Sequence, residues 1–214
     1  MSERFDINVT DKNKCVARIF WTAKLHKTPY KARFIAGANK CSTKQISLHV
    51  NKALKVLKDY FSKYCRTIYK NVGINHDWSI NSSTQFLSKI QHLDVYNMQV
   101  YDFTTLYTNL DLGVVGRLLS EMIDLIYSNI NKYICVCKYN ENCFFSKKEY
   151  NGYHCFSKEK LCEAIDFILQ NTYISFAGTI LRQCKGIPMG GNSSSQLADL
   201  SLAMCKYKYC IWIL

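Results

Sequence analysis

The stretch "VYDFTTLYTNL", residues 100–110, holds one carboxylate inside an apolar, aromatic run. A carboxylate removed from water is costly unless it is paired or bound to a metal. Read as a strand, "MQVYDF" puts Met98, Val100 and Asp102 on one face and carries Asp102 to the strand's C-terminal end. A carboxylate there can hold Mg²⁺, and the adjoining Phe103 carbonyl can join it. Tyr107, five residues on, can return a ring to the same place. The commoner use of such an Asp is local, as the cap of a helical segment beginning at Thr104.

Two other segments carry potential chemistry. "TAKLHKTPYKARFIAG" bears Lys24, His26, Lys27, Lys31 and Arg33 around a turn, and such a hairpin could close over a phosphate chain. Alone it is weak, because basic turns are common. In "GIPMGGNSSSQLADL", Gly186, Gly190 and Gly191 allow backbone to approach a ligand closely. That loop runs into a helix N-terminus, which favours anions. It is neither a Walker loop nor a dinucleotide fingerprint. The bland alternative is a plain loop and cap.

The elements that must position these residues follow from pattern. "ARIFWTAKL" (17–25) and "ARFIAGA" (32–38) read as a hairpin about the basic turn at Pro29. From Thr43 to about Tyr69, Ile46, Val50, Leu54, Leu57, Phe61 and Ile68 make the apolar face of a long helix. Its other face carries Lys44, Lys52, Lys55, Lys58 and Lys63, which suits solvation and nucleic-acid contact about equally. Residues 81–93 suit a short capped helix, 113–129 another, and 157–173 a third with Ser157 at its N-cap. Residues 132–156 alternate and turn as a β-hairpin insertion does. "ISFAGTILRQ" reads as a hairpin turning near Gly178. The pattern is α+β, with antiparallel strands and packed helices.

Composition sets the outer limits. The chain has 214 residues, 48% of them hydrophobic, enough for one sizeable core. Its 28 Lys and Arg against 16 Asp and Glu give a formal net charge of +12, which points to polyanions, nucleic acid first and an acidic membrane surface second. No apolar run approaches the length of a membrane span, and "MSERFDINVT" is not a signal peptide. The 11 cysteines follow no regular framework, so reduced thiols in an intracellular compartment, nuclear or cytoplasmic, are expected. Cys135, Cys137, Cys143 and Cys155, with His154, raise zinc as a possibility, but their spacing matches no standard site.

Taken in order, the three segments resemble the reverse transcriptases of Penelope-like retroelements and, more distantly, the telomerase catalytic core. The resemblance runs from about residue 15 to 205. "AKLHKTPYKARFIAG" is similar to that family's fingers motif, "YDFTTLYTNL" to its motif A, and "NTYISFAGTILRQCKGIPMGGN" to the segment leading into motif B. It implies a right-hand polymerase with fingers-like residues at about 15–95 and a partial palm at about 96–214. It also implies roles. Asp102 would be the first catalytic carboxylate and, with the Phe103 carbonyl, a ligand of Mg²⁺ in a two-ion site. Lys24 and Arg33 would contact the triphosphate of an incoming dNTP. Tyr107 would lie under the sugar and select deoxyribose. Met189, Gly190 and Ser194 would line the nucleotide and template side. The partners implied are an RNA template and a DNA primer.

The chain departs from that pattern in places. Two-ion catalysis uses more than one carboxylate around ions about 4 Å apart. The family draws the others from a Tyr-x-Asp-Asp motif, and the 214 residues contain no Asp-Asp pair. After "GIPMG" the sequence continues "GNSSSQ", where the family often has Asn and then Pro, and "YKYCIWIL" reads like an out-of-frame or alternatively spliced end. The expectation is therefore a truncated reverse transcriptase that polymerises nothing by itself. The alternatives are a non-catalytic nucleic-acid-binding module and a decayed retroelement product.

Overall fold

The computed structural model describes residue 5 and residues 15–25, 28–77, 79–80, 82–93, 96–128 and 133–212. His26 and Lys27, which belong to the basic turn, lie outside them. The architecture is α+β, with two sheets flanking a cluster of helices.

The predicted hairpin forms as β1 (Ala17–Lys24) and β2 (Lys31–Gly37), antiparallel, with Thr22 opposite Arg33 and Lys24 opposite Lys31. The second predicted hairpin forms as β6 (Tyr173–Phe176) and β7 (Thr179–Arg182). Its β6 runs parallel to β1, giving a four-stranded sheet of order β2-β1-β6-β7. Two short registers, Ala17 with Ile174 and Arg18 with Ser175, join the hairpins across more than 150 residues of sequence. Local pattern cannot reveal a long-range pair of that kind.

The long helix α1 (Lys44–Val72) buries Ile46, Val50, Leu54, Leu57 and Phe61, with Ile68 half-buried against the same core. Each fully buried aliphatic or Phe side chain contributes about 1.5–3 kcal/mol relative to exposure. Gly73 ends α1 at φ 76°, and its N–H donates to the Tyr69 carbonyl. Its lysine face is partly neutralised within the fold. Lys52 meets Glu141 at 2.9 Å and Lys58 meets Asp199 at 2.6 Å.

The short helix α2 (Ser83–Ile90) is capped by Ser82, whose Oγ accepts from the Gln85 N–H. A single turn, α3 (Leu106–Asn109), precedes α4 (Leu112–Tyr127). Asp111, not foreseen as a cap, accepts from the Val114 N–H at the start of α4. Helix α5 (Lys158–Gln170) is capped by Ser157 as expected, and α6 (Ser194–Trp212) leaves the glycine-rich loop. Helix α4 packs against α1, α5 and α6, with Leu119, Met122, Ile123 and Ile126 fully buried.

Two expectations change. "MQVYDF" is not a strand. No ladder forms on residues 98–103 among the described residues, and Val100 and Tyr101 are 86% and 85% exposed. A strand is defined by its neighbour; an apolar run without one leaves its amide groups to solvent. The insertion at 132–156 is also more than a hairpin. It is a three-stranded antiparallel sheet of order β4-β3-β5, built from β3 (Tyr133–Cys137), β4 (Cys143–Ser146) and β5 (Tyr153–Phe156). Ile134, Val136, Phe145 and Phe156 put its inner face into the core, against α1.

At that contact His49 of α1 stacks on His154 of β5, ring centroids 5.2 Å apart. Burial, reinforced by Lys52 and Lys138, holds His49 below its ordinary value despite a hydrogen bond to the Gln45 backbone. The unfolded chain therefore binds this proton more readily than the folded protein. His49's contribution is intact above the unfolded value of about 6.5 and is lost as pH falls through it. Urea midpoints should fall between pH 7.5 and pH 5.5, and His49→Leu should flatten that fall.

Candidate nucleotide-binding cavity

The hairpin β1/β2, the segment 102–108 and the loop 183–189 enclose one cavity of about 630 Å³. Lys24, Arg33, Asp102, Phe103, Tyr107 and Met189 all line it. Three segments separated by about seventy residues or more thus converge, and six residues singled out from sequence meet at one place. The two others do not. Gly190 stands behind the wall, pressed on β2. Ser194 opens α6, is buried, and lines a separate enclosed cavity of about 40 Å³ on the far side of β2 and the loop. That space is enough for about one water.

Backbone hydrogen bonds hold the walls together. The Gly186 N–H donates to the Leu110 carbonyl at 2.8 Å, and the Ile187 N–H to the Tyr107 carbonyl at 2.7 Å. On the other side the Ala36 N–H of β2 donates to the Met189 carbonyl at 2.7 Å. The glycines are required by this closeness. At Gly186 the backbone has φ +79°, and a Cβ would lie 2.5 Å from the Tyr107 carbonyl oxygen. At Gly190 φ is +102°, and a Cβ would lie 2.6 Å from the Ala36 carbonyl oxygen. The approach anticipated for a ligand is therefore taken up by the protein's own backbone.

Asp102 is exposed, contrary to the premise of a buried carboxylate, and has no hydrogen-bond or ion-pair partner among the described residues. It does not cap α3 either. Thr105 occupies that N-cap position at φ 62°, ψ 37°. A left-handed β-branched residue is an outlier, with strain of about 1–3 kcal/mol. Side-chain bonds offset it. The Asn109 Nδ2 donates to Thr105 Oγ1 at 2.7 Å, and Thr108 Oγ1 donates to the Thr105 carbonyl at 3.1 Å. Thr105 lines the cavity and was not foreseen, because no propensity assigns threonine a left-handed backbone. Gln183 was missed too. It lines the cavity while its N–H donates to the Thr172 carbonyl.

The lining sets the Lys24 ammonium and the Arg33 guanidinium in the same cavity as one exposed carboxylate. Such a surface can receive a polyphosphate, with Arg as a planar fork and Lys as a point charge. Asp102 and the Phe103 carbonyl offer oxygen to a hard cation that phosphate oxygens would also hold. A two-ion centre does not fit these residues, because Asp102 is the only carboxylate on the cavity wall among the described residues. No group of three His, Cys, Asp or Glu converges among the described residues, which also leaves the cysteines near 135–155 without a zinc site.

No protein-family model matches the chain, and no curated protein matches it. Among solved structures it is similar to apo telomerase from Candida tropicalis, with a TM-score of 0.55 and 14% identity. The match covers 94% of this chain and 36% of that one, so this chain spans about a third of its length. The likeness is one of fold. No helix among the described residues is long and apolar enough to cross a membrane.

Gly186→Ala should cost at least about 2 kcal/mol, from left-handed strain and collision with the backbone of Tyr107 and Thr108. Denaturant unfolding measures that cost. Hydrogen exchange should show lost protection at the Ile187 amide.

Proposed function

We propose that this chain is a reverse-transcriptase-like domain of the Penelope-like group that binds a nucleoside triphosphate and a nucleic acid. In this reading residues 15–95 act as fingers and residues 96–214 as part of a palm. One observation carries it: Lys24, Arg33, Asp102, Phe103, Tyr107 and Met189 line a single cavity. The fold likeness to telomerase supports the same reading.

Arg33 and Lys24 take the triphosphate, and Tyr107 lies beneath the sugar. Asp102 and the Phe103 carbonyl would hold a divalent ion accompanying the phosphates. Mg²⁺, when bound, would screen the phosphate charge. Gly190 acts indirectly, by seating the loop on β2, and Ser194 acts through the helix start. Polymerisation takes further carboxylates, supplied from outside these residues. The working place is the nucleus or cytoplasm, where RNA template and DNA primer are found.

A non-catalytic RNA-binding role is the second reading. The β1/β2 register favours it, because Arg18, Phe20, Lys24, Lys31 and Arg33 fall on one face of an open hairpin. Basic and aromatic groups interleaved in this way suit a single strand.

The test is binding of a fluorescent deoxynucleoside triphosphate with Mg²⁺, followed by primer extension. Arg33→Ala should weaken nucleotide binding by roughly 10-fold or more, the size of a lost charge-assisted hydrogen bond. Primer extension by the chain alone should give no product. Template-dependent incorporation lost in Asp102→Ala would show that one carboxylate is enough and would sink the incomplete-site reading. Salt-dependent RNA binding with nucleotide affinity equal in wild type and Arg33→Ala would favour the second reading.

A further inference from the structure

The insertion sheet contains a feature that neither nucleotide nor RNA binding uses. Cys135 of β3 and Cys155 of β5 are directly opposite in antiparallel register, with Sγ atoms 2.9 Å apart. Both thiols are free. The Lys138 N–H donates to the Gly152 carbonyl, so that opposed pair is a hydrogen-bonded one. Opposed pairs alternate along an antiparallel ladder, which makes Cys135 and Cys155 a non-hydrogen-bonded pair. Such pairs have Cα atoms about 4.5 Å apart, inside the range a disulfide accepts. Closing the bond to about 2.05 Å asks for roughly 0.9 Å of sulfur movement.

The surroundings give the two sulfurs different parts. Cys135 is fully buried, and burial pushes its thiol up. Cys155 is half-buried, and the Tyr150 N–H donates to its sulfur at 3.5 Å. Cys143 pairs with Val136 and so falls on the opposite face of the sheet, away from both.

We propose that Cys135 and Cys155 form a redox-responsive cross-strand disulfide, with a small-molecule disulfide such as oxidised glutathione as oxidant. The Cys155 thiolate attacks one sulfur of the oxidant, forming a mixed disulfide and releasing one glutathione thiolate. Cys135 attacks the Cys155 sulfur, and the expelled second glutathione thiolate takes the Cys135 proton. Two protein thiols and one glutathione disulfide become one protein disulfide and two reduced glutathiones. The product ties β3 to β5, staples the three-stranded sheet that packs on α1, and leaves the cavity untouched.

The experiment equilibrates the whole chain in glutathione buffers of rising oxidised fraction, blocks residual thiols by alkylation and maps peptides without reduction. The expected result is a Cys135–Cys155 linked peptide as the first disulfide to appear, with both thiols lost to alkylation together. Reversal by reduced glutathione should restore them. In Cys155→Ser the linkage should vanish while Cys135 stays alkylatable once unfolded. The proposal is overturned if Cys135 and Cys155 remain alkylatable at excess oxidant, or if other cysteines pair first. The wild-type map decides the matter even if the variant folds poorly.

Discussion

Three backbone hydrogen bonds carry the whole arrangement. Gly186 to Leu110, Ile187 to Tyr107 and Ala36 to Met189 hold the glycine-rich loop between the 102–110 segment and β2. Each joins groups that would otherwise need water, so the loop is specified by amide satisfaction more than by side-chain packing. The cavity is the space left when these contacts close. Met189 and Tyr107 sit on its wall because their carbonyls are fixed on its frame. Gly186 and Gly190 are glycine because a Cβ there would meet backbone oxygen.

The helices and hairpins were legible because their signals are local. The 3.6-residue spacing of Ile46, Val50, Leu54, Leu57 and Phe61 identified a buried helix face, and Ser157 marked the start of α5. The residues of the cavity were legible through ordered motifs, and six of the eight converge. Three features were not legible. The parallel joint between β1 and β6 rests on two registers distant in sequence. The segment 98–103 looked like a strand because its composition is that of one, yet the partner that defines a strand is not among the described residues. Thr105 takes a left-handed backbone that no propensity would assign to threonine.

Charge is distributed with the same economy. The chain is strongly basic, but its basic groups are not equivalent. Lys52, Lys58, Lys158 and Lys208 are each drawn to a carboxylate on another element, where they tie helices, loops and strands together. Exposed pairs of this sort add little stability each. On the β1/β2 hairpin, Arg18, Lys24, Lys31 and Arg33 share one face of the ladder, and Lys24 and Arg33 reach the cavity.

Among the described residues the three-stranded insertion shares no wall with the cavity, and its attachments run to α1 and the helical core. Lys52 reaches the Asn140 carbonyl and Glu141 at the turn between β3 and β4, anchoring that end of the sheet to the helix beneath. A change of length or sequence at its outer turns is therefore absorbed without passing to Asp102 or Arg33. The segment between α4 and α5 is where this fold can acquire new surface over evolutionary time, with α1 serving as a fixed mounting rail.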